Sequence, residues 1–295
     1  MSSTRTATPL FVGEPDWSQA GEAAPPLVNP IDSGFVRPVD LSRVPDDRFF
    51  AMQLHLSSEV MISLCGNGPG KLGPPPHAHG MDQFFYVLEG TMELRLGQAT
   101  HRLEPGSVAW IPAGTPHKHR NPGTERELHL EVIAPGFGFT RTFMAWSGDP
   151  STWPAGGDVA HLRPQDWPEV HPGTRTRFVS EPSGTFEAAF PDSRELAWFV
   201  MRSEPGVSPG RGLHLHAFHQ FYYVVEGTLG VDVGFDHYEA GPHTLVVIPP
   251  GAPHANRAVG DEPTTHLTIN VPPPLWATTP ENPWDVPVTL ERRER

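Results

Sequence analysis

The sequence predicts an all-β protein made of two tandem barrel domains that arose by internal duplication. Three observations indicate this fold. The 295 residues include 36 prolines and 29 glycines, which interrupt the chain so often that long helices have little room to form. Short apolar runs recur between turn residues, as in sandwiches and barrels. Two histidine-rich stretches also come into register when the sequence is compared with itself.

The internal repeat has an offset of 137 residues, which is the separation of His77 from His214. The same offset pairs His79 with His216, Gln83 with Gln220, Gly90 with Gly227, Pro112 with Pro249, His117 with His254, and His129 with His266. The register is kept across the whole stretch, so neither copy contains a net insertion there. We conclude that one domain was duplicated.

Each copy carries a hairpin beside its first histidine cluster. Residues 84–88 and 92–96 read as two strands joined by a turn at 89–91, and the second copy repeats this at 221–225, 226–228 and 229–233. Alternation along the second strand predicts that Met92, Leu94 and Leu96 share a buried face. The apolar runs 60–64 and 197–201 predict buried strands that enter the two sites.

We expect residues 1–150 to form a proline-rich arm followed by the first barrel, and residues 151–295 to form a connector, the second barrel and a C-terminal tail. The arm covers residues 1–35. The stretch 147–175 has little periodicity and five prolines, which is typical of a connection between domains.

A metal site is predicted in each copy. His77 and His79 lie two residues apart, so both imidazoles point to one side of an extended segment. Gln83 follows at an even spacing, and His117 arrives from a separate strand. Three imidazoles and one amide oxygen leave positions open on an octahedral ion, as a catalytic site requires. The ligands predicted in the second copy are His214, His216, Gln220 and His254.

At these residues the sequence resembles the cupin superfamily in both halves, and so resembles a bicupin of the quercetin dioxygenase-like kind. The first cupin motif reads Gly73, His77, His79, Gln83 and Gly90, and the second reads Gly106, Pro112, Gly114, His117 and Asn121. The resemblance implies jelly-roll (double-stranded β-helix) barrels. It also implies one divalent transition metal per domain, with Fe, Mn, Ni, Co, Cu and Zn all compatible with these ligands.

The sequence departs from the cupin pattern in two respects. In the second copy, His243 replaces the glycine at the Gly106 position and Ala258 replaces Asn121, so the turn there is expected to differ. In both copies glutamine replaces the usual motif glutamate. An amide removes one negative charge and a basic oxygen from the site, which favours Lewis-acid chemistry.

Candidate catalytic residues lie outside the two motifs. His129 and His266 repeat at the same offset, and Glu131 shares a strand face with His129, where it could replace the missing carboxylate base. The alternatives are a polar residue on a partly exposed strand for the histidines and a solvated surface residue for Glu131. Met81, Trp110 and Phe218 are candidate substrate contacts, with core packing as the alternative. We expect His119 and His219 to be neighbouring surface residues.

The resemblance favours a metal-dependent dioxygenase acting on a small aromatic or enolisable molecule. The alternatives are a non-redox isomerase, cyclase or lyase that uses the ion as a Lewis acid, and a small-molecule-binding protein without turnover. A formal charge of −13 with only 21 Lys and Arg argues against nucleic acid as a partner. The absence of a long apolar run and of a secretory signal predicts a cytoplasmic protein without a membrane span. A homodimer is left open.

Overall fold

The computed structural model describes residues 27–28, 34–136, 144–145, 150–161, 177–181, 185–190, 193–208, 212–273 and 286–291. Much of the arm and of the predicted connection lies outside these ranges. The chain divides into two compact units: residues 1–31 with 41–163, and residues 32–40 with 164–295. This division differs from a single boundary at 150, because the segment 32–40 belongs to the second unit.

The described residues form short strands and two 3-10 helices, Leu41–Arg43 and Pro150–Thr152. The strands up to the middle of the chain are β1 (Leu27–Val28), β2 (Val36–Pro38), β3 (Phe50–Leu56), β4 (Met61–Asn67), β5 (His77–Ala78), β6 (Asp82–Glu89), β7 (Met92–Leu96), β8 (Ala99–Leu103), β9 (Ser107–Ile111), β10 (His117–Arg120), β11 (Glu127–Ala134), β12 (Met144–Ala145) and β13 (Asp158–His161). The later strands are β14 (Arg177–Glu181), β15 (Thr185–Phe190), β16 (Ala197–Ser203), β17 (His214–Leu215), β18 (His219–Glu226), β19 (Thr228–Val233), β20 (Asp236–Ala240), β21 (Thr244–Ile248), β22 (His254–Val259), β23 (Thr264–Val271) and β24 (Val286–Pro287). Within the described part of the chain, no helix has the length and apolar character needed to cross a membrane.

The first unit is a jelly roll of two sheets. The described strands of its larger sheet follow the order β1-β3-β4-β11-β6-β9-β13, and those of its smaller sheet follow the order β12-β5-β10-β7-β8. Its pairings are antiparallel except for the parallel contact of β1 with β3. Strand β13 comes from the stretch that the sequence predicts to connect the domains, and it extends the larger sheet by pairing with β9.

The second unit repeats this architecture. Its larger sheet has the order β14-β15-β16-β23-β18-β21-β2 and its smaller sheet the order β20-β19-β22-β17-β24. Strand β2, from the segment ahead of the first barrel, occupies the place that β13 holds in the first unit and pairs with β21. The all-β fold with two duplicated jelly-roll barrels is therefore confirmed.

The hydrophobic cores of the two barrels correspond residue by residue. In the first barrel the buried cluster comprises Phe85, Val87, Met92, Leu94, Leu96, Leu103, Ala109 and Ile111. Adding 137 to each number gives the cluster of the second barrel: Tyr222, Val224, Leu229, Val231, Val233, Ala240, Val246 and Ile248. The predicted buried face of Met92, Leu94 and Leu96 is confirmed. The duplication has thus preserved the inward positions while changing the side chain at six of the eight.

The predicted strands are also confirmed, with bounds that shift by a few residues. Residues 84–88 lie within β6 and residues 92–96 are β7; their counterparts lie within β18 and β19. The turns between them need glycine. Gly90 and Gly227 have φ angles of 68° and 71°. A Cβ on either residue would overlap the backbone carbonyl oxygen of a neighbouring segment, Arg126 O or Pro263 O.

The turn at His243 does not differ from its counterpart, contrary to the sequence expectation. Gly106 has a φ of 85° and donates its N–H to Val87 O at 2.9 Å. His243 has a φ of 57° and donates to Val224 O at 2.8 Å. The second barrel therefore keeps the left-handed turn without glycine, a conformation that costs a non-glycine residue about 1 kcal/mol or more. The ring of His243 also hydrogen-bonds the hydroxyl of Tyr223 at 3.1 Å.

We expect Gly90→Ala to destabilise the protein by about 2–4 kcal/mol, because it adds a collision with Arg126 O to the strain of a positive φ. Gly70→Ala is the matched control. Gly70 has a φ of 66° with nothing near its added Cβ, so the variant should lose only about 1 kcal/mol. Chemical denaturation measures both values. Equal losses would show that the collision at Gly90 is relieved without cost.

Candidate metal centres

The ligands predicted for the first site meet between the two sheets of the first barrel. His77 on β5 and His117 on β10 are direct partners in the smaller sheet, and their ring centroids lie 4.2 Å apart. His79 follows β5, with its ring 5.1 Å from that of His117. Gln83 reaches in from β6 of the larger sheet. The ligand nitrogens of the three histidines lie within 4.8 Å of one another, and all four side chains are buried.

Backbone hydrogen bonds fix the tautomer of each histidine in the first site. The Nδ1 atoms of His77, His79 and His117 lie 2.7, 3.0 and 2.9 Å from the carbonyl oxygens of Pro75, Met81 and Thr115. A carbonyl oxygen only accepts, so each Nδ1 carries the proton and donates it. Each Nε2 therefore holds a lone pair that can bind a metal.

Burial keeps the imidazoles of His77 and His117 neutral. It lowers the pKa of His77 to about 4, against a smaller opposing effect of the hydrogen bond to Pro75 O. It also holds the pKa of His117 well below its usual range, reinforced by the neighbouring His77 and His79 rings. At neutral pH both rings are uncharged, which is the form in which histidine binds a metal.

The distances among these atoms fit a bound cation. His79 Nε2 and Gln83 Oε1 lie 3.0 Å apart, although with Nδ1 protonated both atoms are acceptors. Two ligands at about 2.1 Å from one ion and at right angles to each other lie about 3.0 Å apart. The buried His117 Nε2 has no hydrogen-bond partner. A divalent ion would satisfy all of these lone pairs at once.

The second barrel repeats the arrangement. The Nδ1 atoms of His214, His216 and His254 lie 2.9, 2.9 and 3.0 Å from the carbonyl oxygens of Gly212, Phe218 and Ala252. The three ligand nitrogens lie within 4.8 Å of one another, and burial lowers the pKa of His254 to about 3. Gln220 Oε1 lies 2.9 Å from His254 Nε2 and 3.4 Å from His216 Nε2. These residues also fit one divalent ion.

The orientation of each glutamine is set by an acceptor behind it. Gln83 Nε2 donates a short hydrogen bond to Glu131 Oε1, so the amide oxygen faces the histidines. The other carboxylate oxygen of Glu131 accepts from the Cys65 thiol at 3.2 Å. Burial and the adjacent Glu131 charge raise the pKa of Cys65 well above its usual value, so the thiol keeps the proton that it donates. The structure therefore places Glu131, predicted as a base, behind the ligand Gln83.

A second buried hydrogen-bond network starts at His129, another predicted catalytic residue. Its Nδ1 lies 2.6 Å from Glu127 Oε1, and Glu127 Oε2 accepts from Asn67 Nδ2 at 3.1 Å. His129, Glu127 and Asn67 are each no more than 1% exposed. The sequence analysis missed Glu127, although its spacing of two from His129 on one strand places both on the inward face.

His119 lies close to both His129 and the ligand His77. The expectation that it is a surface residue is wrong. It follows His117 by two positions on β10, so both rings face the interior. It is 4% exposed, its ring lies 5.2 Å from that of His129, and neither ring nitrogen has a hydrogen-bond partner. Burial, with the nearby His129 and His77 rings, holds its pKa well below the usual value. The even spacing from His117 was the sequence signal that could have placed His119 in the interior.

Among the described residues of the second barrel, this hydrogen-bond network is not repeated. His266, predicted to be catalytic, is buried with both ring nitrogens unpartnered, and burial lowers its pKa to about 3. Thr264 stands where the first barrel has Glu127, and its hydroxyl donates to Thr228 O at 2.7 Å. The ring of His266 contacts that of Tyr222 at 5.3 Å. Without a carboxylate beside it, His266 remains a neutral ring against an aromatic.

The predicted substrate contacts fall into different surroundings. Met81 is buried against Met61 and Ile133. Phe218 stacks on the ligand His216, with ring centroids 3.8 Å apart. Trp110 alternates with inward-facing neighbours on β9, so it lies on the opposite face of the sheet, stacked on Phe84. The structure thus brings Phe218 to a ligand, places Met81 in packing and does not bring Trp110 to the site.

Comparison with known proteins assigns a family to this arrangement. The model of the cupin domain matches residues 65–134 and again residues 199–270, and each match contains one of the two ligand sets. The chain therefore carries two cupin domains in tandem. A search of curated proteins found no significant match.

Solved structures with the same bicupin fold share little sequence with this chain. Salicylate 1,2-dioxygenase from Pseudaminobacter salicylatoxidans has a TM-score of 0.60 and 14% identity, covering 75% of this chain and 76% of that one. A variant of Bacillus subtilis oxalate decarboxylase has a TM-score of 0.57 and 14% identity, covering 84% and 78%. AerE from Microcystis aeruginosa has a TM-score of 0.57 and 13% identity, covering 80% and 96%. At this identity the likeness shows the fold.

We expect His117→Ala to lower the metal content of the full chain from about two ions to about one, because the two ligand sets lie in separate barrels. His254→Ala is the matched variant for the second barrel, and elemental analysis measures both. Loss of both ions from either single variant, or retention of both, would contradict separate sites.

The metal-free protein should lose stability on acidification partly through His266. The unfolded state binds a proton at this residue below about pH 6.5, whereas the folded state does so only near pH 3, so stability falls as pH falls between these values. One such proton corresponds to a slope of about 1.4 kcal/mol per pH unit. Denaturation of the metal-free His266→Leu variant between about pH 6 and pH 4 should show a slope smaller by about one proton. Parallel profiles for variant and wild type would contradict a buried neutral His266.

Proposed function

We propose that this bicupin is a metal-dependent dioxygenase that acts on a small aromatic or enolisable molecule. One observation carries the proposal: each barrel directs three imidazole lone pairs and one amide oxygen to a common point, with the Nδ1 proton of every histidine held by the backbone. Four protein ligands leave positions open on an octahedral ion for substrate and oxygen.

Two of the fold comparisons bear on the choice of substrate. One solved structure of the similar salicylate 1,2-dioxygenase contains gentisate, an aromatic carboxylate, and oxalate decarboxylase has the same double-barrel fold. These proteins are only about 14% identical to this chain. They therefore support a small anionic substrate as a class and no particular molecule. A fold alone hosts many reactions, and the argument therefore rests on the residues of the site.

The ligand set determines which substrates suit the centre. All four protein ligands are neutral, so a bound divalent ion keeps its full charge and attracts carboxylate, phenolate or enolate oxygens. A redox-active ion held here would supply Lewis acidity together with electron transfer to oxygen. The ligand side chains are buried, so this charge is poorly screened by solvent.

We place proton transfer at His129 in the first barrel. Glu127 holds its Nδ1 proton, which leaves Nε2 as the atom that can accept a proton from an acidic substrate hydroxyl. The carboxylate of Glu127 then stabilises the resulting imidazolium. The ring of His119 lies 5.2 Å from that of His129. Since Thr264 replaces Glu127 beside His266, we assign turnover to the first barrel. The roles of Met81 and Phe218 in substrate contact stay predictions.

The test is oxygen consumption by the metal-loaded protein with a panel of hydroxylated aromatic acids and enolisable diketones. We expect substrate-dependent oxygen uptake with incorporation of labelled oxygen into product, and no product without oxygen. Product formed equally under anaerobic conditions would contradict the dioxygenase proposal.

A non-redox isomerase, cyclase or lyase is the second candidate, because glutamine stands where the cupin motif usually has glutamate. The neutral amide leaves a Lewis-acidic ion and no basic ligand oxygen. Elemental analysis distinguishes the candidates: iron, copper or manganese in the purified protein supports the oxygenase, and zinc supports the non-redox enzyme.

We expect His129→Gln and Glu127→Gln each to lower kcat by about 10²–10⁴-fold, because they remove the proton acceptor or its orienting carboxylate. Metal content should be unchanged in both variants, since neither residue belongs to a ligand set. His266→Gln is the matched control in the second barrel and should change kcat by less than about threefold. Equal losses in the control and in His129→Gln would contradict turnover in the first barrel alone.

A further inference from the structure

The two glutamine ligands are held by partners of different charge. Behind Gln83 stands the carboxylate of Glu131, whereas behind Gln220 stands the neutral amide of Asn270. These partners do not occupy equivalent positions in the repeat. The residue that corresponds to Glu131 is Thr268, and its hydroxyl contacts the sulfur of Met201 at 3.4 Å.

In the first barrel the carboxylate is fixed against the amide. Glu131 lies on β11 opposite Phe85 of β6, two positions along from Gln83. One carboxylate oxygen accepts from Gln83 Nε2 and the other accepts from the Cys65 thiol. A carboxylate that accepts an amide N–H draws electron density from the nitrogen towards the oxygen through amide resonance. Gln83 Oε1 is therefore a stronger electron-pair donor to a metal ion than an ordinary amide oxygen.

In the second barrel the first contact is weaker and a second contact opposes it. Gln220 Nε2 donates to Asn270 Oδ1 at 3.0 Å, a neutral acceptor. Gln220 Oε1 also accepts from the hydroxyl of Tyr222 at 2.5 Å, which occupies one of its lone pairs. The residue that corresponds to Tyr222 is Phe85, which has no hydroxyl group. Gln220 Oε1 is therefore a weaker electron-pair donor to a metal ion than Gln83 Oε1.

We propose that Glu131 makes the first metal centre electron-rich, while Asn270 and Tyr222 leave the second centre electrophilic, so that the second centre binds anions more tightly. Glu131 acts as a positioning residue that also supplies one negative charge next to the ligand set. Identical ligands thus form two centres with different affinities for anionic molecules. The proposal depends on metal occupancy at both sites and is independent of which reaction the protein catalyses.

The test uses full-length chains with a single site each. His254→Ala leaves the first centre and His117→Ala leaves the second; each is loaded with Co²⁺ to a content confirmed by elemental analysis. Azide is titrated at neutral pH and followed through the visible absorption of the cobalt. We expect the Kd for azide to be at least about tenfold lower at the second centre, as for one charge acting on a buried ion.

Charge-changing variants assign the difference to the named residues. Glu131→Gln in the first-site chain keeps an acceptor for Gln83 and removes the charge, so azide should bind about tenfold more tightly. Asn270→Asp in the second-site chain should weaken azide binding by a similar factor, and Tyr222→Phe should weaken it by less. Glu127→Gln is the control, because it removes a buried carboxylate that does not touch a ligand, and its effect should be smaller than that of Glu131→Gln.

Equal azide affinities in the two single-site chains would overturn the proposal, as would unchanged affinities in both Glu131→Gln and Asn270→Asp. If Glu131→Gln fails to bind cobalt, Asn270→Asp alone decides the question. Failure of the single-site chains themselves to bind cobalt would instead reject the metal centres, and with them the proposed function.

Discussion

The hydrogen bond from each ligand histidine to a backbone carbonyl is the constraint on which both centres depend. In every case the acceptor lies two residues away, on the segment that carries the ring itself. The backbone therefore fixes ring orientation and tautomer together. Because each Nε2 is left without a proton among buried side chains, it presents a lone pair that can bind a cation. The capacity to bind a cation therefore follows from the backbone at the ends of these strands.

The duplication conserved the ligands and the packing, but not the residues around them. Core positions correspond one to one between the barrels, and so do the eight ligands. The carboxylates Glu127 and Glu131 have Thr264 and Thr268 as their counterparts. The first barrel consequently places one carboxylate against a ligand and a second one against His129, whereas threonine stands at both positions in the second barrel. Differences between duplicated sites arise here from residues that never touch the ion.

The sequence predicted the fold and the ligands because both depend on local spacing. Alternation located the hairpin at Gly90, and the repeat offset matched the histidines across strands that pair directly, as His77 and His117 do. It did not predict Asn270, since its contact with Gln220 depends on which strands become neighbours across the sheet. Glu127 and Tyr222 each lie two residues from their partner on one strand, and His119 lies two residues from His117. Alternation along the strand was therefore the signal that could have found these three residues.

The segment 32–40 has a consequence for how this gene product can be divided. Strand β2 pairs with β21 and packs Phe35 and Val36 against the core of the second barrel, yet it precedes the first barrel in the sequence. A fragment that starts at residue 164 would therefore leave one edge of β21 unpaired. Unpaired N–H and C=O groups at a sheet edge promote association with other chains. Expression of the later half by itself would require grafting residues 32–40 onto it by a linker or supplying them as a separate peptide.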